Sequence, residues 1–539
     1  MNSIKFRLRH GAILFTALLT LLSFKVLSGG HQSLEPRGPV SDAWFGVAMP
    51  DKTEDRSNRL RKALVEPDLP QHSIRLPASE DPYRDIKGDE LMAYLQEVIN
   101  ITRETRPEGE NFWGRIGGSR SEIAVAEYMA KKFKDFGLND VQLDDVPGGE
   151  QWWPLNWSAT LIGDEAYGKG TKDVNFKSAF PAIQLGGIAN STENLEAELV
   201  YVGQGHVADL LGRDVKGKIA VMLANLQPDG FFQTARGHAE NAVEAGAAGV
   251  LIVMEAPGNH QYALEDMGPP EVPSLVLGGD DGRFLISAIE AAGEDHTISA
   301  RLSLTTEIRP NWNGKNVRGT IIGETDEWVV IVSHLDGYFD SANDNGAGLA
   351  SLMALARFYA ERDIKPRRNM MFVGTSAHHE YSDGADAFIR DHADILKKTV
   401  GVMNIEHPAS IMSYYRGELK FKNFTLPGQL NTTTTHGSRS LNISNQSELL
   451  TGFYREGIDR YGLVVDAMLE RSPPTGDAIA FFRAGNTVMQ ILDSNIWYHS
   501  DGDMIDTIPG VGVARATRVY AYVLDQIEKH SRKELLKKG

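Results

Sequence analysis

His334, Asp336, Asp344, His378, His379, Glu406, Tyr498, His499 and Asp503 stand at or just beyond the ends of four short apolar runs. Imidazoles and carboxylates gathered in this way are the nitrogen and oxygen donors that zinc accepts. The chain has no cysteine, which excludes a thiol nucleophile, a disulfide framework and thiolate-held zinc. Taken singly, each of these residues is more often a cap, a surface group or a satisfied core residue than a ligand. Four strand ends that carry them together point instead to a metal site.

The elements that must position these groups are visible in the apolar pattern. Trp328–Ser333, Asn369–Thr375, Thr399–Ile405 and Thr487–Leu492 are continuous apolar runs, as suits central strands of a parallel sheet covered on both faces. Ligands of such a sheet bind beyond the carboxyl ends of its strands. The first run leads into His334 and Asp336, and Asn343-Asp344-Asn345-Gly346 opens the next helix. The second run leads into His378, His379 and Glu380, the third into Glu406, the fourth into Tyr498, His499 and Asp503. Helical periodicity is seen from Asp89 to Arg103, after Ser119, from Leu349 to Tyr359 and from about Val513 to Leu535. The fold class expected is α/β: a doubly wound, mostly parallel sheet with helices on both faces. Between 165 and 308 short β-like runs alternate with a small-residue helix, Ala239 to Ala248, which reads as a second, smaller α/β domain.

The motifs resemble a known family. "SHLDGYFDSANDNGAGLASLMALARFYA", "GVMNIEH" and "YHSDGDMID" look like the successive site motifs of co-catalytic zinc exopeptidases of the aminopeptidase and glutamate-carboxypeptidase type. "RIGGSRSEIAVAEYMAKKFKDFGL" and "PTGDAIAFFRAGNTVMQI" resemble two further segments of that family. The order strand, "GKIAVM", helix, "AGAAGVLIV" and "VPSLVLG" resembles an inserted protease-associated domain, in the layout of the transferrin receptor. The resemblance implies a zinc peptidase domain in two parts, 85–164 and 309–539, around an insert at 165–308. It also implies two zinc ions, with Asp344 bridging, His334 and Glu406 completing one site, and His379 and His499 the other. Asp336 would orient His334, Tyr498 would stabilise the oxyanion, and a water acidified by the metals would attack a peptide bond near a chain terminus. An aminopeptidase is the first reading and a carboxypeptidase the other.

One departure puts the activity in question. The family carries Ala-Glu-Glu where this chain has Ala377-His378-His379. Imidazole is a good zinc ligand, yet His379 takes away one negative charge, so the second zinc is expected to be the weaker. His378 falls at the general base, where two dications disfavour its protonated form. General base catalysis contributes roughly 10²–10⁴-fold. His378→Glu is therefore expected to raise kcat. Glu380 is one register away from the expected face. A weakly active or inactive binding protein and a single-zinc acyl transferase are the alternatives.

Composition bounds the rest. The formal charge of −17 over 539 residues, with no dense basic run after residue 40, argues against a nucleic-acid partner. Lys5, Arg7 and Arg9 precede the apolar stretch Ala12–Phe24, which Lys25 ends short of the ~20 residues of a membrane span. Residues 1–30 read as a signal peptide, so export to the periplasm or outside the cell is expected, with membrane attachment only if this segment is an uncleaved anchor. Residues 31–84 read as an irregular leader. No G-x-S-x-G elbow, HExxH helix or Walker loop is present. His238 and His260 read as ordinary surface or loop residues, and Trp152, Trp153 and Trp157 as strand-packing aromatics. Residues 408 to 450 are expected to lie near the cleft. The partner expected is a peptide substrate; composition leaves the oligomeric state open.

Overall fold

The computed structural model describes residues 81–538, except 164–171, 186–189, 226–235, 257, 266, 270, 294–295, 411, 417–418, 422–423, 427–428, 435–437, 464, 466 and 469–472. The expected signal segment, 1–30, and nearly all of the expected leader lie outside the described residues.

Helices α1 (Gly88–Glu104) and α2 (Arg120–Asp135) come first, followed by strands β1 (Asn139–Pro147) and β2 (Gln151–Leu161). Ser119 caps α2 by accepting the Glu122 N–H, the role a serine before a helix serves best. Strands β3 (Thr192–Tyr201) and β4 (Ile219–Asn225), helix α3 (Arg236–Glu244), strands β5 (Gly249–Glu255) and β6 (Ser274–Leu277), helix α4 (Gly279–Ala292) and strand β7 (Ser299–Arg309) follow. The chain then continues through β8 (Asn313–Ile321), β9 (Trp328–His334), α5 (Ala347–Ala360), β10 (Asn369–Thr375), α6 (Asp383–Asp391), β11 (Thr399–Ile405), β12 (Ser438–Ile443), α7 (Glu448–Tyr461), α8 (Ala478–Arg483), β13 (Val488–Ser494) and α9 (Gly510–Lys529).

Two eight-stranded sheets result. In the first the order is β1-β8-β10-β9-β11-β13-β12, ending on the short strand Ala467–Met468. Its four central strands, β10, β9, β11 and β13, are parallel, and β1, β8 and β12 join antiparallel on the flanks. Register puts the carboxyl ends of the central strands level, with His334 opposite Thr375 and Ile405 opposite Ile491. The apolar runs are continuous because both faces are covered. Val329, Ile331, Met370 and Phe372 pack into the core beneath α1, α2, α5 and α9. Val330, Val332, Met371 and Val373 face Phe388 of α6 and Phe481 of α8. In β9 and β10 the two faces thus divide the strand residues by parity, as period-two geometry requires.

The second sheet contains β2-β7-β3-β4-β5-β6 flanked by two short strands, and its β3-β4-β5-β6 run is parallel. An aromatic cluster of Phe112, Trp152, Trp153, Phe180, Tyr338 and Phe339 joins the two sheets. Within 408–450, Met412–Arg416 pairs with Gln429–Thr434.

Candidate active site

The end of β9 and the loop after it carry the first two donors, and a buried cation shapes that loop. Arg115 is wholly buried, and its guanidinium donates to the carbonyls of Leu335 (2.7 Å), Asp340 (2.9 Å) and Ser341 (2.9 Å). Next to it Gly114 and Arg115 pair with Tyr338 and Gly337. Asp503 accepts the backbone N–H groups of Asn343 (2.9 Å) and Asp344 (3.1 Å), fixing the turn that presents the Asp344 carboxylate. Asn345 ties the strand ends together: its amide donates to Ser333 Oγ (2.9 Å) and the Ile405 carbonyl (3.0 Å) and accepts the His407 N–H (3.2 Å).

Asp344 is the centre of the arrangement. Its Oδ1 lies 3.1 Å from His334 Nε2 and 2.8 Å from His407 Nε2. Its Oδ2 lies 2.8 Å from His499 Nε2 and 3.7 Å from His379 Nε2. Burial would raise this carboxyl, but His407, His334 and His499 outweigh it and hold Asp344 well below the usual carboxylate range. Both Asp344 oxygens and the Nε2 atoms of His334, His379, His407 and His499 are buried without a hydrogen-bond partner. Such atoms are costly to leave unsatisfied, and together they fit a metal. The donor groupings His334/Glu406/His407, His334/Asp344/His379 and Glu265/His379/His499 each lie close enough to hold an ion.

The remaining groups surround that centre. Asp336 meets His334 Nδ1 through its carbonyl (3.1 Å) and, at 3.4 Å, its carboxylate, whose other oxygen accepts the His379 N–H (2.8 Å). Glu406 Oε2 accepts from Asn404 (2.8 Å) and Gln490 (3.3 Å). The Tyr498 ring stacks on His499 at 3.7 Å. Glu380 is turned to Gln151 Nε2 (2.9 Å). Glu122 holds the loop before His378 by accepting from Ser376 Oγ (2.7 Å), Ala377 N–H (2.9 Å) and Gly118 N–H (2.7 Å).

His378 has a partner that sequence reasoning missed. Its Nδ1 lies 2.9 Å from Asp477 Oδ1, and the ring stacks on His334 at 4.2 Å. Asp477 stands at the N-cap of α8 without capping it; instead it takes His378 and the Thr375 hydroxyl. Burial and His334 oppose a proton on His378, yet Asp477 and Glu406 outweigh them and lift it to about 9; cations held nearby would push it back down. An imidazole seated on a buried carboxylate is a supported base. The premise on which His378→Glu should raise kcat is thereby weakened.

His407 and Glu265 were also missed. His407 follows Glu406 and would point away along an extended chain, but its φ of 45° turns the ring back to Asp344. Glu265 comes from the connection between β5 and β6 in the other domain, with Oε1 2.9 Å from His379 Nδ1 and Oε2 3.2 Å from His499 Nδ1. Burial opposes its ionisation, while His499 and His379 hold it well below the usual range. His260 is buried and bonded to Asp501 (2.9 Å), so it is a contact between the two sheets' domains rather than a surface group.

Gly476 makes room for Glu406. At its φ of +61°, an added Cβ would fall 2.3 Å from Glu406 Oε2. Gly476→Ala is expected to cost about 1–3 kcal/mol, through a left-handed backbone and a displaced carboxylate. Thermal unfolding of the variant measures this, and an unchanged midpoint with full zinc content would contradict it.

A doubly wound sheet that gathers imidazoles around a central carboxylate at its strand ends has the donor set of a metal-dependent hydrolase. Residues 316–524 match the model of Peptidase family M28, and residues 195–285 match the PA domain. The catalytic half of the chain therefore matches the M28 peptidases, and a PA-domain match precedes it. It is 23% identical over 460 residues to leucine aminopeptidase 2 of Trichophyton tonsurans, covering 82% of this chain and 84% of that one. The M28 peptidase precursor of Shewanella amazonensis has a similar fold: TM-score 0.62, 18% identity, 85% of this chain and 98% of that chain. So does BSAP, a zinc aminopeptidase from Bacillus subtilis, with TM-score 0.58 and 18% identity over 84% of this chain and 98% of that chain.

Proposed function

We propose that this chain is an exported zinc aminopeptidase that removes residues from the amino ends of peptides. The observation that carries the reading is the Asp344 carboxylate, set among imidazole nitrogens that have no hydrogen-bond partner. His334, Glu406 and His407 would hold one zinc ion and His379 and His499 a second, with Asp344 between them. Zinc bound by such groups acidifies water and polarises a carbonyl.

The protein's own groups take the remaining roles. His378 accepts the proton of the attacking water at Nε2, because Asp477 holds the Nδ1 proton in place. Asp336 fixes the His334 ring from its Nδ1 side and positions the His379 backbone. Tyr498 donates to the developing oxyanion. The peptidase domain lies in two parts around an insert that takes in β2 (Gln151–Leu161) through β7 (Ser299–Arg309), so the insert begins near 151 and not at the expected 165, and it supplies one wall of the cleft. Export rests on the apolar segment at 1–30; among the described residues no helix is long and apolar enough to cross a membrane.

Metal analysis combined with a peptide-library screen tests the reading. Bound zinc and release of amino-terminal residues are expected, with activity abolished by a chelator and restored by zinc. Zinc-loaded protein that cleaves no peptide would overturn the hydrolase reading, and cleavage unaffected by chelation would overturn the metal.

A further inference from the structure

The inserted domain reaches the candidate metal centre along one docked segment. Ala263 N–H donates to the His499 carbonyl (2.8 Å), Asp501 N–H donates to the Gln261 carbonyl (3.1 Å), and Tyr262 pairs with Ser500. The Tyr262 hydroxyl donates to the Ile496 carbonyl (3.1 Å), and His260 meets Asp501 (2.9 Å). On the other side the segment is held by its own domain, where Ile183 N–H donates to the Leu264 carbonyl (3.1 Å). Backbone pairing of this kind fixes the position of the next side chain closely, and that side chain is Glu265.

Glu265 lies on the opposite side of His379 and His499 from Asp344. Asp344 faces the Nε2 atoms of both rings, and Glu265 faces both Nδ1 atoms, at 2.9 and 3.2 Å. A carboxylate behind a ligating imidazole sets the ring's tautomer and orientation and makes it a stronger donor. Here one carboxylate stands behind two imidazoles. It also brings one negative charge to a pair of imidazoles that carry none when neutral.

We propose that Glu265 is a positioning residue of the metal centre, supplied by the inserted domain, which holds His379 and His499 in ligating orientation and adds a negative charge behind both rings. The inference rests on the reading of His379 and His499 as metal ligands. It makes zinc affinity depend on the docking of the insert. Because coupling between two equilibria is reciprocal, zinc must in turn tighten that docking.

The test measures zinc on the full chain. Zinc affinity by chelator competition, and zinc per chain after dialysis, are compared for the parent, Glu265→Gln, Glu265→Ala and Asp344→Ala. Loss of an outer partner of this kind weakens metal binding by roughly 10–100-fold. Glu265→Ala is expected to show such a fall for the more weakly held zinc. Glu265→Gln, which keeps the shape and loses the charge, should fall less, and it is the variant to read if the alanine protein fails to fold. Hydrogen exchange supplies a second readout: zinc should slow exchange of the Ala263 amide in the parent and do so much less in either Glu265 variant. Zinc affinity within twofold of the parent in both Glu265 variants, or exchange at Ala263 that ignores zinc, would overturn the proposal. If Asp344→Ala loses zinc while the Glu265 variants keep it, the metal centre stands and only the role of Glu265 falls. Zinc retained in Asp344→Ala would instead overturn the metal centre itself.

Discussion

Asp477→Asn is expected to lower kcat by about 10²–10⁴-fold while leaving KM and zinc content close to those of the parent. The Asp477 carboxylate faces His378 Nδ1 at 2.9 Å, so the Nδ1 position carries the proton and Nε2 is left to accept one. An asparagine has the same shape, but its amide can present an N–H to Nδ1 and move the ring proton to Nε2. The ring is then in the tautomer that cannot take a proton from water. A loss confined to kcat is the pattern of an interaction made in the transition state. Steady-state kinetics on the zinc-loaded variant decide the matter. Unchanged kcat in a folded, loaded Asp477→Asn protein would show that His378 does not carry the proton.

Asp344→Ala is expected to remove most of the bound zinc and with it the activity. Among the described residues, the carboxylate is the one anionic group within 3.1 Å of His334, His407 and His499 at once. A ligand that binds only the folded state stabilises it by about 4 kcal/mol at a thousandfold excess over its Kd. Unfolding with and without added zinc should therefore show such an increment for the parent and little or none for the variant. A variant still stabilised by zinc to the same extent would place the metal elsewhere.

Much of this was legible in the sequence because buried parallel strands leave an unmistakable trace. The Trp328–Val332 run is apolar throughout since parity sends Val329 and Ile331 to one core and Val330 and Val332 to the other. An open α/β sheet then dictates where its ligands must lie, and the groups after each run follow. The structure brings His334, Asp344, His378, His379, Glu406 and His499 to that edge, with Asp336 and Tyr498 among them. What the sequence concealed has two causes. His407 was hidden by a local one, since a left-handed residue breaks the alternation that extended chain imposes. Glu265 and Asp477 were hidden by distance. Glu265 meets His499 across 234 positions, and no local pattern marks such a pairing. Asp477 meets His378 across 99 positions, and its place at the start of α8 gives no sign of that use.

Arg115 and Glu122 carry a consequence for inheritance. Both lie near residue 120, yet Arg115 moulds the loop between His334 and Asp344, and Glu122 moulds the loop before His378. A fragment beginning after residue 309 would contain His334, Asp344, His379, Glu406 and His499 and lack the template that shapes two of their loops. Recombination could exchange the outer loops freely, but not the two halves of the chain apart from each other. Only fragment complementation, with residues 85–164 supplied in trans, could give such a half back its shape.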